Sequence, residues 1–133
     1  MSVMLALTLI AAAAAGTAAQ EPPLRLLCRF ESACIDRRPC FDSSAEVVIR
    51  GIDGAADLAQ LDFGDGRVRT ARIRREGVWT SLVTEPDIDH GNRVEVLDFD
   101  AAGRATLVVN APGTAVEVLS RTGTCAPAPE VDR

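Results

Sequence analysis

Residues 59–84 read AQLDFGDGRVRTARIRREGVWTSLVT and hold three short β runs joined by two turns. Ala59, Leu61 and Phe63 alternate with polar residues, which is the period of a strand that has one buried face. The Gly-Asp-Gly triplet at 64–66 and the later Gly77 supply the positive φ angles that tight hairpins require. The stretch therefore predicts consecutive antiparallel strands.

The same pattern continues on both sides of this stretch, with turn residues at intervals of about ten, as in an antiparallel meander. Helical signals are nearly absent. The predicted β runs are 24–30, 45–52, 58–63, 67–74, 78–84, 93–99, 105–110 and 114–121. About eight such strands can close as a barrel or stack as two sheets, because free edges invite aggregation. We expect an all-β fold, a small antiparallel meander closing as a barrel, with a β-sandwich as the alternative.

Two runs depart from simple alternation. In residues 93–99, Val94 and Val96 fall on one face while Leu97 and Phe99 fall on the other. A β-bulge near Val96 would reconcile the two halves of this run. In the second run, residues 67–74, a bulge near Thr70 would likewise let Val68 point inward.

The N-terminal residues predict export. Residues 1–19 carry no charged side chain, and 3–15 are apolar except for Thr8, which is the length of a signal h-region. Thr17 and Ala19 place small side chains before a cleavage site, so we expect a signal peptide at 1–19. A retained membrane anchor is the alternative, although a spanning helix needs about twenty strongly apolar residues. A periplasmic or secreted β domain at 20–125 and a disordered tail at 126–133 complete the predicted organisation.

All four cysteines lie beyond the predicted leader, at Cys28, Cys34, Cys40 and Cys125. An even number in an exported chain indicates two disulfides, whereas the Cys-x5-Cys-x5-Cys spacing lacks the close ligand pair typical of zinc sites. Of the three pairings we favour Cys34 with Cys40 and Cys28 with Cys125. The second bond would join the first and last strands, and residues 31–43 would form an ordered loop.

The densest charged feature is a set of five arginines within nine residues, Arg67, Arg69, Arg72, Arg74 and Arg75. Because arginine offers bidentate hydrogen bonds to carboxylates and phosphates, they form a possible anion-binding face. The alternative is a solvated strand face that pairs with acids on neighbouring strands. The candidate acids are Asp57, Asp62, Glu95 and Asp98.

Other candidate sites have weaker signals. Residues 85–90 gather three carboxylates and the only histidine, His90, but lack the spacing of a calcium loop, so we expect no metal and no cofactor. The sequence contains no Gly-x-Ser-x-Gly motif, which is typical of a hydrolase nucleophile, so it gives little support to catalysis. The single tryptophan, Trp79, is expected to pack in the core or at its rim.

The net charge limits the possible partners, and the missing catalytic motif favours binding over catalysis. The net charge of −5 argues against nucleic acid as a partner, and the chain should not insert stably in a membrane once the leader is removed. We expect a non-catalytic interaction module of the cell envelope whose partner is a protein or a glycan. The alternatives are a carrier of a small apolar ligand and, less well supported, a hydrolase-type enzyme.

Overall fold

Eight strands with one apolar face each form the fold, and the computed structural model describes residues 24–114 and 117–129. Every strand pairs antiparallel with the next, and β1 pairs with β8, so the sheet closes. The predicted barrel is confirmed, whereas the predicted leader at 1–19 lies outside the described residues. The strands are β1 (Arg25–Ile35), β2 (Phe41–Ile52), β3 (Ala55–Asp62), β4 (Val68–Glu76), β5 (Trp79–Thr84), β6 (Val94–Asp100), β7 (Arg104–Asn110) and β8 (Val118–Pro127).

The interior of the barrel is one hydrophobic cluster to which all eight strands contribute. Its largest fully buried apolar side chains are Phe30, Ile49, Leu61, Leu82 and Leu97. Burying side chains of this size contributes about 1.5–3 kcal/mol each relative to an exposed position. The predicted inward faces of β3 and β7 are confirmed, since Ala59, Leu61, Ala105, Leu107 and Val109 are all buried.

The loops gather at two opposite ends of the barrel because the strands run alternately up and down. We call one the hairpin end; it holds the β2–β3, β4–β5 and β6–β7 turns together with the start of β1 and the end of β8. We call the other the loop end; it holds the β1–β2, β3–β4, β5–β6 and β7–β8 connections. The described residues contain a single short 3-10 helix, Ile88–His90, at the loop end. None of their helices is long and apolar enough to cross a bilayer.

Both predicted disulfides are present. Cys28 bonds to Cys125 across the β1–β8 seam, where the two residues are direct register partners. Cys34 bonds to Cys40 and clips the connection between β1 and β2. The first bond is buried in the core, whereas Cys40 is exposed.

Three boundaries differ from the sequence-based expectation. The ordered loop expected at 31–43 shrinks to 36–40, because β1 pairs on both sides and continues past a bulge between Phe30 and Ser32. The last strand begins at Val118 rather than at 114. It also runs through Ala126 and Pro127, which were expected to belong to the tail.

The predicted bulge near Val96 is wrong. Pairing of β6 with both neighbours is regular, so Glu95, Leu97 and Phe99 share the inward face while Val94 and Val96 face outward. β4 is also regular at Thr70, and Val68 is 51% exposed. Keeping β6 regular places the Glu95 carboxylate inside the barrel, where it requires partners of opposite charge.

Candidate functional site

The five arginines near β4 do not form one surface. Arg67 lies in the β3–β4 turn and Arg69 faces inward at the loop end, and the side chains of both are largely buried. Arg72 and Arg74 face outward and are exposed, and exposed Arg75 adjoins the turn at the hairpin end. The anion-binding face predicted from the sequence is therefore divided into a buried pair (Arg67 and Arg69), an outer pair (Arg72 and Arg74) and Arg75 at the hairpin end.

Arg69 connects the barrel wall to the β5–β6 loop, which comprises residues 85–93. Its Nε lies 3.2 Å from the Glu95 carboxylate and its Nη1 lies 3.5 Å from the Asp87 carboxylate. Its Nη2 donates to the carbonyl oxygens of Glu85 and, at 3.2 Å, of Arg93. One guanidinium thus holds both ends and the middle of the loop.

Glu95 is the fully buried acid that balances this cluster. Its Oε2 accepts hydrogen bonds from Thr84 Oγ1 at 2.7 Å and from Arg69 Nε at 3.2 Å. Its Oε1 lies 3.3 Å from Arg93 Nε and 3.7 Å from Arg67 Nη1. Neither contact of Oε1 has hydrogen-bond geometry, so that oxygen is stabilised by charge alone. Three cations therefore surround one buried carboxylate.

The cations of the cluster also affect one another. Burial, together with the positive charge of Arg67, lowers the pKa of Arg93 below its usual value. The Arg67 guanidinium lies over the Phe63 ring, 4.7 Å from its centroid, which adds a cation–π contact. The cluster therefore ties the barrel wall to the β5–β6 loop through charge contacts at the loop end.

The β5–β6 loop is ordered internally as well. The backbone of Asp87 pairs with that of Arg93, and Asn92 donates its N–H to the Asp87 carbonyl at 2.8 Å. A 2.9 Å hydrogen bond joins His90 Nδ1 to Asp87 Oδ2, and this bond, with Arg69 nearby, lowers the pKa of the Asp87 carboxyl. At the top of the loop, the Ile88 side chain is 84% exposed.

The acids of the loop do not converge. Asp87 turns toward Arg69 and His90, whereas Glu85 and Asp89 are exposed. Within residues 24–114 and 117–129, no three His, Cys, Asp or Glu side chains are grouped so that they could hold a metal ion. His90 and Asp87 form a hydrogen-bonded pair on an exposed loop, not in a cleft.

The loop end also exposes other apolar side chains. Besides Ile88, these belong to the first residues of three strands, Phe41, Val68 and Val118. A shallow depression of about 580 Å³ opens at this end beside the Cys34–Cys40 clip. It is lined by Asp36, Arg37, Arg38, Glu117 and Val118.

Sequence reasoning did not assign Thr84 and Arg93 to the site, and it gave Glu95 only as one of four possible partners. A usable signal was present, because strict alternation from Leu97 and Phe99 places Glu95 on their face. Neither a protein-family model, nor a curated protein, nor a solved structure matches this chain.

The single tryptophan lies away from this site. Trp79, expected in the core or at its rim, is 40% exposed at the hairpin end.

Proposed function

We propose that this chain is a non-catalytic binding module of the cell envelope and that its loop end docks a partner protein. One observation carries the proposal: Arg69 ties the β5–β6 loop to the barrel while Ile88 stands 84% exposed at its top. A loop that is ordered before binding loses little conformational entropy when it meets its partner. Apolar side chains on such loops act as anchors that fill a pocket on the other protein.

The charges of the loop define the partner further. The carboxylates of Glu85 and Asp89 are exposed and form no ion pair with the described residues. They flank Ile88, so the complementary surface is an apolar pocket with basic groups at its rim. Phe41, Val68 and Val118 add apolar area around the same end of the barrel.

Placement in the envelope rests on the apolar leader and on the cysteines. Two disulfides are consistent with an oxidising compartment, because thiols in the cytosol are kept reduced. The carrier alternative has less support, since Phe30, Leu61 and Leu82 occupy the interior where an apolar ligand would bind. The hydrolase alternative has less support, since the hydrogen bonds of His90 within the described residues go to Asp87 and to no hydroxyl or thiol.

The test is a capture experiment with a matched variant. Residues 20–133 with both disulfides formed would be immobilised and exposed to an envelope extract, alongside Ile88→Asp and Val78→Asp. Val78 is 67% exposed in the β4–β5 turn at the hairpin end, so its substitution matches the change in charge and exposure. We expect one protein to be retained by the wild type and by Val78→Asp and lost with Ile88→Asp.

Circular dichroism must show that both variants fold. Retention of the same protein by all three samples, or recovery of no protein with the wild type, would contradict the proposal.

A further inference from the structure

A second exposed surface lies on the flank of the barrel, where the outer pair of β4 arginines meets β5. Arg72 and Arg74 point to the same side of β4, about 7 Å apart along the strand. Both are exposed, and neither forms an ion pair with another described residue. These two positive charges are therefore available to a ligand.

The neighbouring strand supplies the rest of this surface. Arg72 and Arg74 are register partners of Val83 and Ser81 on β5, and Trp79 continues the same outward row toward the hairpin end. Ser81 donates its hydroxyl hydrogen to Asp98 on β6, so the nearest acid across β5 is already engaged. We call Arg72, Arg74 and Trp79 the β4–β5 strip. Exposed Glu76, which follows Arg74 on the same face of β4 and is the register partner of Trp79, marks its hairpin end.

We infer that the β4–β5 strip binds an acidic polysaccharide. Guanidinium groups form paired hydrogen bonds with carboxylates, and an exposed indole face offers a flat apolar surface on which a sugar ring can pack. An extended polymer lying along β4 would place successive acidic sugars over the two arginines. The contact would be strongest at low ionic strength, because exposed charges are screened by salt.

Three features of the barrel favour this ligand over others. The strip lies on a convex flank, which cannot enclose a small anion as a pocket would. The sheet is closed, so an acidic peptide has no free edge along which to add as a strand. The net charge of −5 disfavours approach of the whole protein to an extended anionic bilayer, whereas a single polymer strand lying over Arg72 and Arg74 meets the exposed acid of β4, Glu76, only at the hairpin end of the strip.

This inference is independent of the proposed docking of a protein at the loop end, since none of the strip residues belongs to that end. Ile88→Asp should leave polysaccharide binding unchanged. Conversely, loss of the strip arginines should leave capture of the protein partner unchanged. The two ideas can therefore fail separately.

The test uses residues 20–133 titrated with polygalacturonate, a polymer of an acidic sugar, and with neutral dextran. Trp79 is the single tryptophan, so its fluorescence reports on the strip directly. We expect a saturable change with polygalacturonate and none with dextran. Arg72→Gln with Arg74→Gln should weaken the affinity at least about tenfold, equivalent to about 1.4 kcal/mol.

The matched control is Arg29→Gln with Arg50→Gln. It removes the same charge from exposed arginines of β1 and β2, which pair with Glu46 at 3.2 Å and with Asp62 at 3.3 Å. Affinity electrophoresis in gels containing polygalacturonate gives a second measurement, in which Trp79→Ala should also reduce retardation.

Unchanged binding in the strip variant, or an equal loss in the control, would overturn the inference. So would binding to phosphatidylglycerol vesicles that depends on the same two arginines and is tighter than binding to polygalacturonate, since the ligand would then be a lipid surface.

Discussion

Arg69 and Arg72 stand three residues apart on one strand and have opposite surroundings. Arg69 faces inward, where it contacts two acids, a hydroxyl and two carbonyl oxygens. Arg72 faces outward beside Val83 and has no ion-pair partner among the described residues. In the linear sequence the two residues have the same character, so the difference arises from the alternation of the strand.

The contrast distinguishes buried charges that stabilise the fold, such as Arg69, from exposed charges that can bind a ligand, such as Arg72. A buried guanidinium requires partners, and at the loop end those partners order a loop that presents Ile88. An exposed guanidinium contributes little to stability and remains free to meet a ligand. The disulfides also differ in their surroundings, since Cys28–Cys125 lies inside the barrel and Cys34–Cys40 lies at the surface.

The largest expected effect comes from the disulfide inside the barrel. Replacing Cys28 and Cys125 by alanine should lower the free energy of unfolding by about 4.7 kcal/mol in the chain-entropy model. Replacing Cys34 and Cys40, which close a much shorter loop, should cost about 2 kcal/mol by the same relation. Urea unfolding of the two double variants measures the difference, and equal losses would contradict the prediction.

The next effect concerns the buried acid. Glu95→Gln keeps the shape of the side chain but leaves Arg67, Arg69 and Arg93 without their shared counter-charge. Removing one partner of a buried ionic group lowers the free energy of unfolding by about 3–5 kcal/mol. Urea unfolding should show this loss, with exposed Glu46→Gln as the control that stays within about 0.5 kcal/mol of the wild type.

Arg69→Met should lower the free energy of unfolding by about 2 kcal/mol, which is less than the loss expected for Glu95→Gln. The variant loses several hydrogen bonds, but Glu95 keeps two other cations as partners. Amide exchange should also become faster across the β5–β6 loop, since both of its ends lose their side-chain contact. Arg72→Met is the matched control on the outer face. Similar unfolding free energies for the two variants would remove the distinction between inner and outer arginines.

Acid should weaken the loop through Asp87. Because the pKa of Asp87 is lowered in the folded protein, its ionised form stabilises the fold above about pH 4. That contribution is lost as the pH falls through the lowered value. The Tm of the wild type should therefore fall more steeply below about pH 4 than the Tm of Asp87→Asn, and parallel curves would contradict this.

A second carboxyl titrates in the same range but does not confuse the comparison. Burial opposes ionisation of Asp100, yet the hydrogen bonds from Arg104 outweigh it and lower the pKa of Asp100. Both proteins retain this group. The difference between their Tm profiles therefore isolates Asp87.

The smallest expected effect is that of the outer arginines. Arg72→Gln with Arg74→Gln should change the free energy of unfolding by no more than about 0.5 kcal/mol, because exposed side chains without ion pairs contribute little. Urea unfolding measures this directly. A loss above about 1 kcal/mol would show that the outer arginines support the barrel.

Much of the fold could be predicted from local patterns. The turn glycines between strands, with positive φ at Gly64, Gly66, Gly77, Gly103 and Gly113, predicted the hairpins. The spacing of Cys28 and Cys125, at the start and end of the strand series, predicted the seam at which the sheet closes. The extent of β1 and β2 was missed, because pairing on both sides of β1 is a consequence of closure and not of its own residues.

The site was harder to predict because it depends on which way each side chain points. Local alternation and turn chemistry determined the eight antiparallel strands and the apolar faces of β3 and β7, since both act over a few residues, whereas the face of β6 was assigned wrongly at Val94 and Val96. Only the closed barrel decided that Glu95, Arg69 and Arg93 meet at one end while Arg72 and Arg74 remain outside. The contacts of Arg69 with Glu95 and Arg93 join residues 26 and 24 positions apart, and the register that brings them together is set by the packing of the whole sheet.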